Sequence, residues 1–225
     1  MFDNIATCDP YKLGGAIIGM AYQLVGMNTQ DNNALIKLLE INDQLDSISA
    51  EKRGPVVHGM ALAVGLVTLG QGNDEINEML AKSLSDDVDA NFGVLIGLGL
   101  SNFGNAKFFQ SNLCRDHVLG KLASEKEKER QAASLCLSLL CFKNEKHAEP
   151  IIQYLVNFSV ENPSQFGDSV EYFSTFAIGM AFFQTENVSE CQRLLLLANK
   201  FARSQGARQA AQALGFILKP TQQAF

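Results

Sequence analysis

Apolar residues run along this chain in blocks that are broken at regular steps by small ones. Three blocks read GAIIGMAYQLVG from Gly15, GMALAVGLVTLG from Gly59 and GVLIGLGLSNFG from Gly93. Small residues stand six and then five positions apart in each: Gly15, Ala21 and Gly26; Gly59, Gly65 and Gly70; Gly93, Gly99 and Gly104. The same frame continues with other residues at Ala132, Ser138 and Lys143, at Thr175, Ala181 and Glu186, and at Gln209, Gly215 and Pro220. Self-similarity at a few tens of residues is the mark of a repeat architecture. The frame predicts a single all-α domain over residues 1–225, an α-solenoid of about six helix-hairpin units. They are centred near 21, 65, 99, 138, 181 and 215, with a tail over 219–225.

The blocks predict one set of helices, called A, at Tyr11–Val25, Val56–Leu69, Val88–Phe103, Glu127–Phe142, Asp168–Gln184 and Ala207–Leu218. Between them a second, more amphipathic set, called B, is predicted at Asn32–Ile48, Asp74–Leu84, Asn112–Ala123, Ala148–Val160 and Val188–Arg203. In the second B helix Ile76, Met79, Leu80 and Leu84 form one apolar stripe with charges opposite. Asp74 is expected to cap that helix. Pro55 is expected to open a helix, and all five prolines are placed at helix starts or connections. Gly26, Gly70 and Gly104 follow A helices, where a left-handed residue is wanted.

At about 100° per residue, positions four apart share a face and positions six apart lie about 240° round. Gly15 with Gly19, and Gly93 with Gly97, make a flat strip, while Ala21 or Gly99 makes a small patch on another face. Such a helix can be approached closely from two sides. Interior glycine costs about 1 kcal/mol relative to alanine, so close backbone packing must offset it.

Composition changes this picture little. The chain has 225 residues, 47% of them hydrophobic and 19% charged, enough for a real core. Net charge is −6 and lysine and arginine are scattered, which argues against a nucleic-acid or anionic-membrane partner and for proteins. The densest charge run, Glu125–Arg130 (EKEKER), reads as a solvated helix start. Cys8, Cys114, Cys136, Cys141 and Cys191 are odd in number and lack a CxxC pair, which points to a reducing compartment. The N-terminus has no basic flank followed by an apolar run, so no signal peptide is expected. The uninterrupted apolar runs fall short of the roughly 20 residues a membrane helix needs.

Chemistry-bearing motifs are equally sparse. Gly99-Leu-Ser-Asn-Phe-Gly104 has a phosphate loop's glycine spacing, but Asn105-Ala106 follow where Lys and Ser or Thr are required. His58, His117 and His147 lack partners at metal-ligand spacing, and His58 is read as a helix-start residue. Cys136 and Cys141 fall on a buried helix. No catalytic, cofactor-binding or metal residue is singled out, no cofactor is expected, and the chain is read as not an enzyme.

The A blocks resemble PC (proteasome/cyclosome) repeats. These occur in the two largest non-ATPase subunits of the proteasome regulatory particle and in the largest anaphase-promoting-complex subunit. The resemblance covers Leu13–Lys219 and is strongest over Val57–Gly104, including the acidic Ser85-Asp86-Asp87 connection, and again at Arg208–Lys219. The larger of the two proteasome types is the nearer pattern, in a short or partial form. The resemblance implies A and B helices in two concentric layers, six units making an arc of a toroid. It implies a non-catalytic scaffold of the regulatory-particle base for ubiquitin-dependent protein degradation, located in cytoplasm and nucleus. Its partners would be ATPase and lid subunits and ubiquitin-handling proteins. A free HEAT-like adaptor, or the repeat part of an anaphase-promoting-complex subunit, is the alternative. Both ends of the array read as uncapped, which favours assembly or self-association.

Overall fold

The computed structural model describes residues 8–25, 33–45, 48–161, 167–200 and 206–217. They form helices α1 (Pro10–Leu24), α2 (Asn33–Asp43), α3 (Ala50–Val67), α4 (Asp74–Lys82), α5 (Val88–Ser101), α6 (Glu127–Leu140), α7 (Glu145–Glu161), α8 (Gly167–Ala181), α9 (Val188–Lys200) and α10 (Gly206–Ile217). The fold is all-α, a helical-repeat solenoid. Gly26, Pro220 and the 219–225 tail lie outside the described residues.

The A helices stack in sequence order: α1 on α3, α3 on α5, α5 on α6, α6 on α8 and α8 on α10. Each B helix lies against the A helix that follows it, α2 on α3, α4 on α5, α7 on α8 and α9 on α10. The core runs along this stack, where Ile17, Met60, Val64, Leu95, Leu98, Leu137, Leu140 and Ile178 are buried. No packed interface among the described residues joins α10 back to α1.

Several helix starts differ from expectation. α4 is capped by Asn73, not Asp74: the Asn73 Oδ1 accepts from the Glu75 and Ile76 N–H groups at 2.9 and 3.3 Å, and Asp74 is the first helical residue. α3 begins at Ala50, so Pro55 is an interior residue, as is Pro150 in α7. The good helix formers Ala50–Arg53 and Glu145–His147 carry each helix past its proline, which leaves one carbonyl without its helical donor. His58 consequently sits inside α3, not at its start.

The predicted third B helix is not one α-helix. It is a 3₁₀ turn at Ala106–Gln110, a π turn at Cys114–Val118 and a second 3₁₀ turn at Leu119–Ala123. Its fully buried residues, Cys114, Val118 and Leu122, are spaced by four. Four residues of α-helix turn about 400°, so such a row drifts about 40° per step. The looser π turn takes up that drift between Cys114 and Val118, while Arg115, Asp116 and His117 stay exposed.

Candidate functional site

The repeat's defining geometry lies where one A helix hands over to the next. Three residues beyond α3, α5, α6 and α8 the backbone turns left-handed, at Gly70 (φ +70°), Gly104 (+73°), Lys143 (+50°) and Gln184 (+59°). Each of these donates its N–H to the penultimate carbonyl of the next A helix: Gly70 to Leu100, Gly104 to Leu139, Lys143 to Met180 and Gln184 to Phe216, at 2.8–3.0 Å. A second bridge runs from Gly72 to Ser101 and from Glu186 to Ile217. The turn itself is closed in each unit by one bond, Gln71 to Thr68, Asn105 to Asn102, Asn144 to Cys141 and Thr185 to Phe182. A helix C-terminus leaves carbonyls unpaired, and here the preceding unit supplies the donor. In the fifth unit the bridge starts at Gln184 and the residue against α10 is Gly179, two positions before Ala181 and Glu186 of the frame.

The glycines set how close the backbones come. A β-carbon on Gly59 would lie 2.5 Å from the Gly14 carbonyl oxygen, one on Gly93 2.5 Å from the His58 Cα, and one on Gly65 2.6 Å from the Gly97 oxygen. Gly97 rests on the Ala61 carbonyl, Gly99 on Cys136 and Gly179 on Ala213. Four of the five seams therefore take a glycine where a side chain would collide with backbone. Gly15, Gly19 and Gly215 have nothing within 4 Å of that position. In α1 the close approach is made by Gly14, and Ala21 is buried. Gly15 shares its frame position with Gly59 and Gly93, which receive the preceding A helix. The corresponding face of α1 is open and carries Tyr11 and Tyr22, 71% and 66% exposed.

A buried polar joint ties the third and fourth units. Glu129, only 2% exposed, accepts from Asn91 Nδ2 (2.7 Å) at one oxygen, and from Ser124 Oγ (2.7 Å) and Lys121 Nζ (3.1 Å) at the other. Asn91 in turn receives the Ser85 N–H and donates to the Ser85 carbonyl. Burial pushes the Glu129 carboxyl up, but the bonds from Ser124, Asn91 and Lys121 outweigh it and hold it below its ordinary value. Arg130 is also buried and donates to the Ser124 and Glu125 carbonyls. The EKEKER run is thus solvated only in part. The signal was its phase, since Glu129 lies four residues before Ala133 on the buried face of α6.

Sequence reasoning also missed an aromatic rail. Phe103 stacks on Phe142 (centroids 4.4 Å apart), Phe142 meets Phe183 at 5.4 Å, and Phe183 meets Phe216 at 6.3 Å. Lys143 Nζ sits 5.5 Å from the Phe142 and Phe183 ring centres. Phe103, Phe142 and Phe183 each directly precede a bridging residue, and that spacing was legible.

The histidines and cysteines are dispersed. His58 Nδ1–H donates to the Asp89 carbonyl (2.9 Å) and its ring stacks on Phe92, joining α3 to α5. His117 is exposed on the π turn, and His147 Nδ1 lies 3.0 Å from Asn144 Oδ1. Burial pushes the Cys114 thiol up to about 12 and raises Cys136 and Cys141 as well. Among the described residues no group of three His, Cys, Asp or Glu could hold a metal ion, and no helix is long and apolar enough to cross a membrane.

Three curated proteins align with the chain. The 26S proteasome regulatory subunit RPN2 of Candida glabrata is 26% identical over 164 residues, 72% of this chain and 16% of that protein. Over most of its length the chain is similar to 26S proteasome non-ATPase regulatory subunits. Non-ATPase regulatory subunit 1 homologs B and A of Arabidopsis thaliana are 25% and 26% identical over 210 residues, 93% of this chain and 19% of each plant protein. The chain thus spans less than a fifth of the length of the curated relatives it matches. No family model matches it.

Proposed function

We propose that this chain is a non-catalytic scaffold of the proteasome regulatory particle, holding other subunits on its helix-repeat surfaces for ubiquitin-dependent degradation. The observation that carries the reading is the alignment of nearly the whole chain with subunits named as proteasome regulatory. The geometry supports it. Four equivalent backbone bridges lock α3, α5, α6, α8 and α10 into one stack, and a stack of that kind offers extended surface. The open face of α1 suits assembly with neighbours, for which ATPase and lid subunits and ubiquitin-handling proteins are the proposed class. Cytoplasm and nucleus are the proposed locations.

Sedimentation of the tagged chain from a native lysate through a glycerol gradient tests this. The expected result is co-migration with regulatory-particle ATPase and lid subunits. Migration as a free 24.5 kDa chain in a lysate whose regulatory particles are intact would sink the reading.

A further inference from the structure

A groove of about 870 Å³ lies between the last turn of α2, the first half of α3, α4, the Ser83–Asp87 connection and the start of α5. That size is within the roughly 300–1,000 Å³ typical of ligand clefts. Its floor is apolar: Leu45, Val57 and Ala90 are buried, and Met79 and Leu84 are half-buried. The walls are helices already fixed in the stack, and the acidic connection is seated tightly, because the Asp87 carboxylate occupies the space where a β-carbon on Gly54 would go. The Asp87 carboxylate also accepts the Ala90 N–H at 2.8 Å, capping α5.

The rim has a sign. Glu75, Glu78, Asp86 and Asp87 stand exposed around the opening, against exposed Lys82 and half-buried Arg53. Lys82 lies 4.0 Å from Glu78, and Arg53 Nη2 donates to the Ile48 carbonyl at 3.3 Å. Among the described residues Glu75 and Asp86 are in no ion pair. A net negative rim over an apolar floor repels nucleic acid and anionic lipid and favours a partner that brings positive charge together with apolar side chains.

From this we infer that the groove is a docking site for a short amphipathic protein segment. Its apolar side chains would lie on Leu45, Met79 and Leu84, and its lysines or arginines would face Glu75, Asp86 and Asp87. The inference rests on the scaffold reading only in taking the occupant to be part of a protein. Charge selects the partner's sign, and the apolar floor requires its other face to be hydrophobic.

The probe is a fluorescein-labelled synthetic peptide of about fourteen residues, with leucines at i, i+3, i+4 and i+7 spacing and lysines opposite. A scramble of the same composition serves as reference, with binding to the full chain followed by anisotropy and hydrogen exchange. The patterned peptide is expected to bind about tenfold tighter than the scramble and to protect α4 and the Ser83–Asp87 connection. The exposed pair Glu75→Lys with Asp86→Lys should weaken it about tenfold. The charge-matched pair Glu145→Lys with Glu161→Lys, on α7 and away from the groove, should not. Equal affinity for both peptides, or an equal loss in the two double variants, overturns the inference, because either result means bulk charge attraction. Gradient sedimentation of the same variants separates the two readings. Assembly without peptide selectivity defeats the groove alone, and peptide selectivity without assembly defeats the scaffold alone.

Discussion

The α3–α5 seam and the α6 region solve one packing problem with different residues. At α3–α5 backbone meets backbone: Gly93 lies on His58, Gly97 on Ala61 and Gly65 on Gly97, with no room for a single added carbon. α6 contains no glycine. Its small buried residues are Ala132, Ala133, Ser134, Cys136 and Ser138, and the two serines donate back to the carbonyls of Arg130 and Ser134 at 2.8 Å. Hydroxyls satisfied within their own helix behave as small, nearly apolar groups. The seam requires smallness everywhere, and it requires the absence of a side chain only where carbonyls point at the neighbour. What both regions keep unchanged is the left-handed bridge, glycine at Gly70 and Gly104 but Lys143 and Gln184 later on.

The comparison is broken most severely by Gly97→Val. The new side chain has to displace the Ala61 backbone, and overpacking of this kind costs about 3 kcal/mol or more, to be read as a large drop in the urea midpoint. Ser138→Ala, at a buried position of the glycine-free α6, is expected to cost under about 1 kcal/mol in the same assay. Equal losses at the two sites would remove the distinction between backbone contact and mere smallness.

Glu129 sharpens the picture of the fourth unit. Its carboxyl is held below the ordinary value, so its contribution is fully present above the unfolded value near about 4.3 and is lost as pH falls through the lower folded value. Glu129→Gln is expected to cost about 1–3 kcal/mol at neutral pH and to flatten the loss of stability below about pH 4.5. Urea midpoints of the two proteins between neutral and acid pH check both points. A variant with the parent's acid profile would show that Glu129 is not the group responsible.

The bridge predicts the smallest effects, of opposite sign. Gly104→Ala places a β-carbon on a left-handed residue 3.1 Å from the Phe142 oxygen and should destabilise by about 1–2 kcal/mol. Gln184→Gly relieves the same conformational cost and should stabilise by about 0.5–1 kcal/mol. Thermal melts are sensitive enough to read the difference. Destabilisation by Gln184→Gly would mean that its side chain matters more than its backbone.

Much of the fold was legible because apolar periodicity and small-residue spacing are local. A helices were found at all six places, and B helices at four of five. The frame missed by two residues at the fifth unit because Ala181 and Gly179 are both small, and only the bridge to Phe216 distinguishes their roles. The Asn112–Ala123 stretch was misread because a four-residue apolar spacing looks α-helical when its neighbours are unknown. Glu129 was hidden by composition: its helical phase placed it on the buried face of α6, but nothing in the charged run named the preceding helix's Asn91 as its partner.

The sequence by itself determined that this is a chain of paired helices, where the A helices lie, and that they must pack closely on more than one side. Those properties follow from helical geometry acting on residue size and polarity along one segment. The tertiary structure decided which glycine of each strip meets backbone, Gly14 rather than Gly15 in α1. It also decided that one unit's turn caps the next unit's helix and that an acidic rim surrounds an apolar groove. Each of these depends on distances between residues far apart in the chain, which the order of residues does not contain.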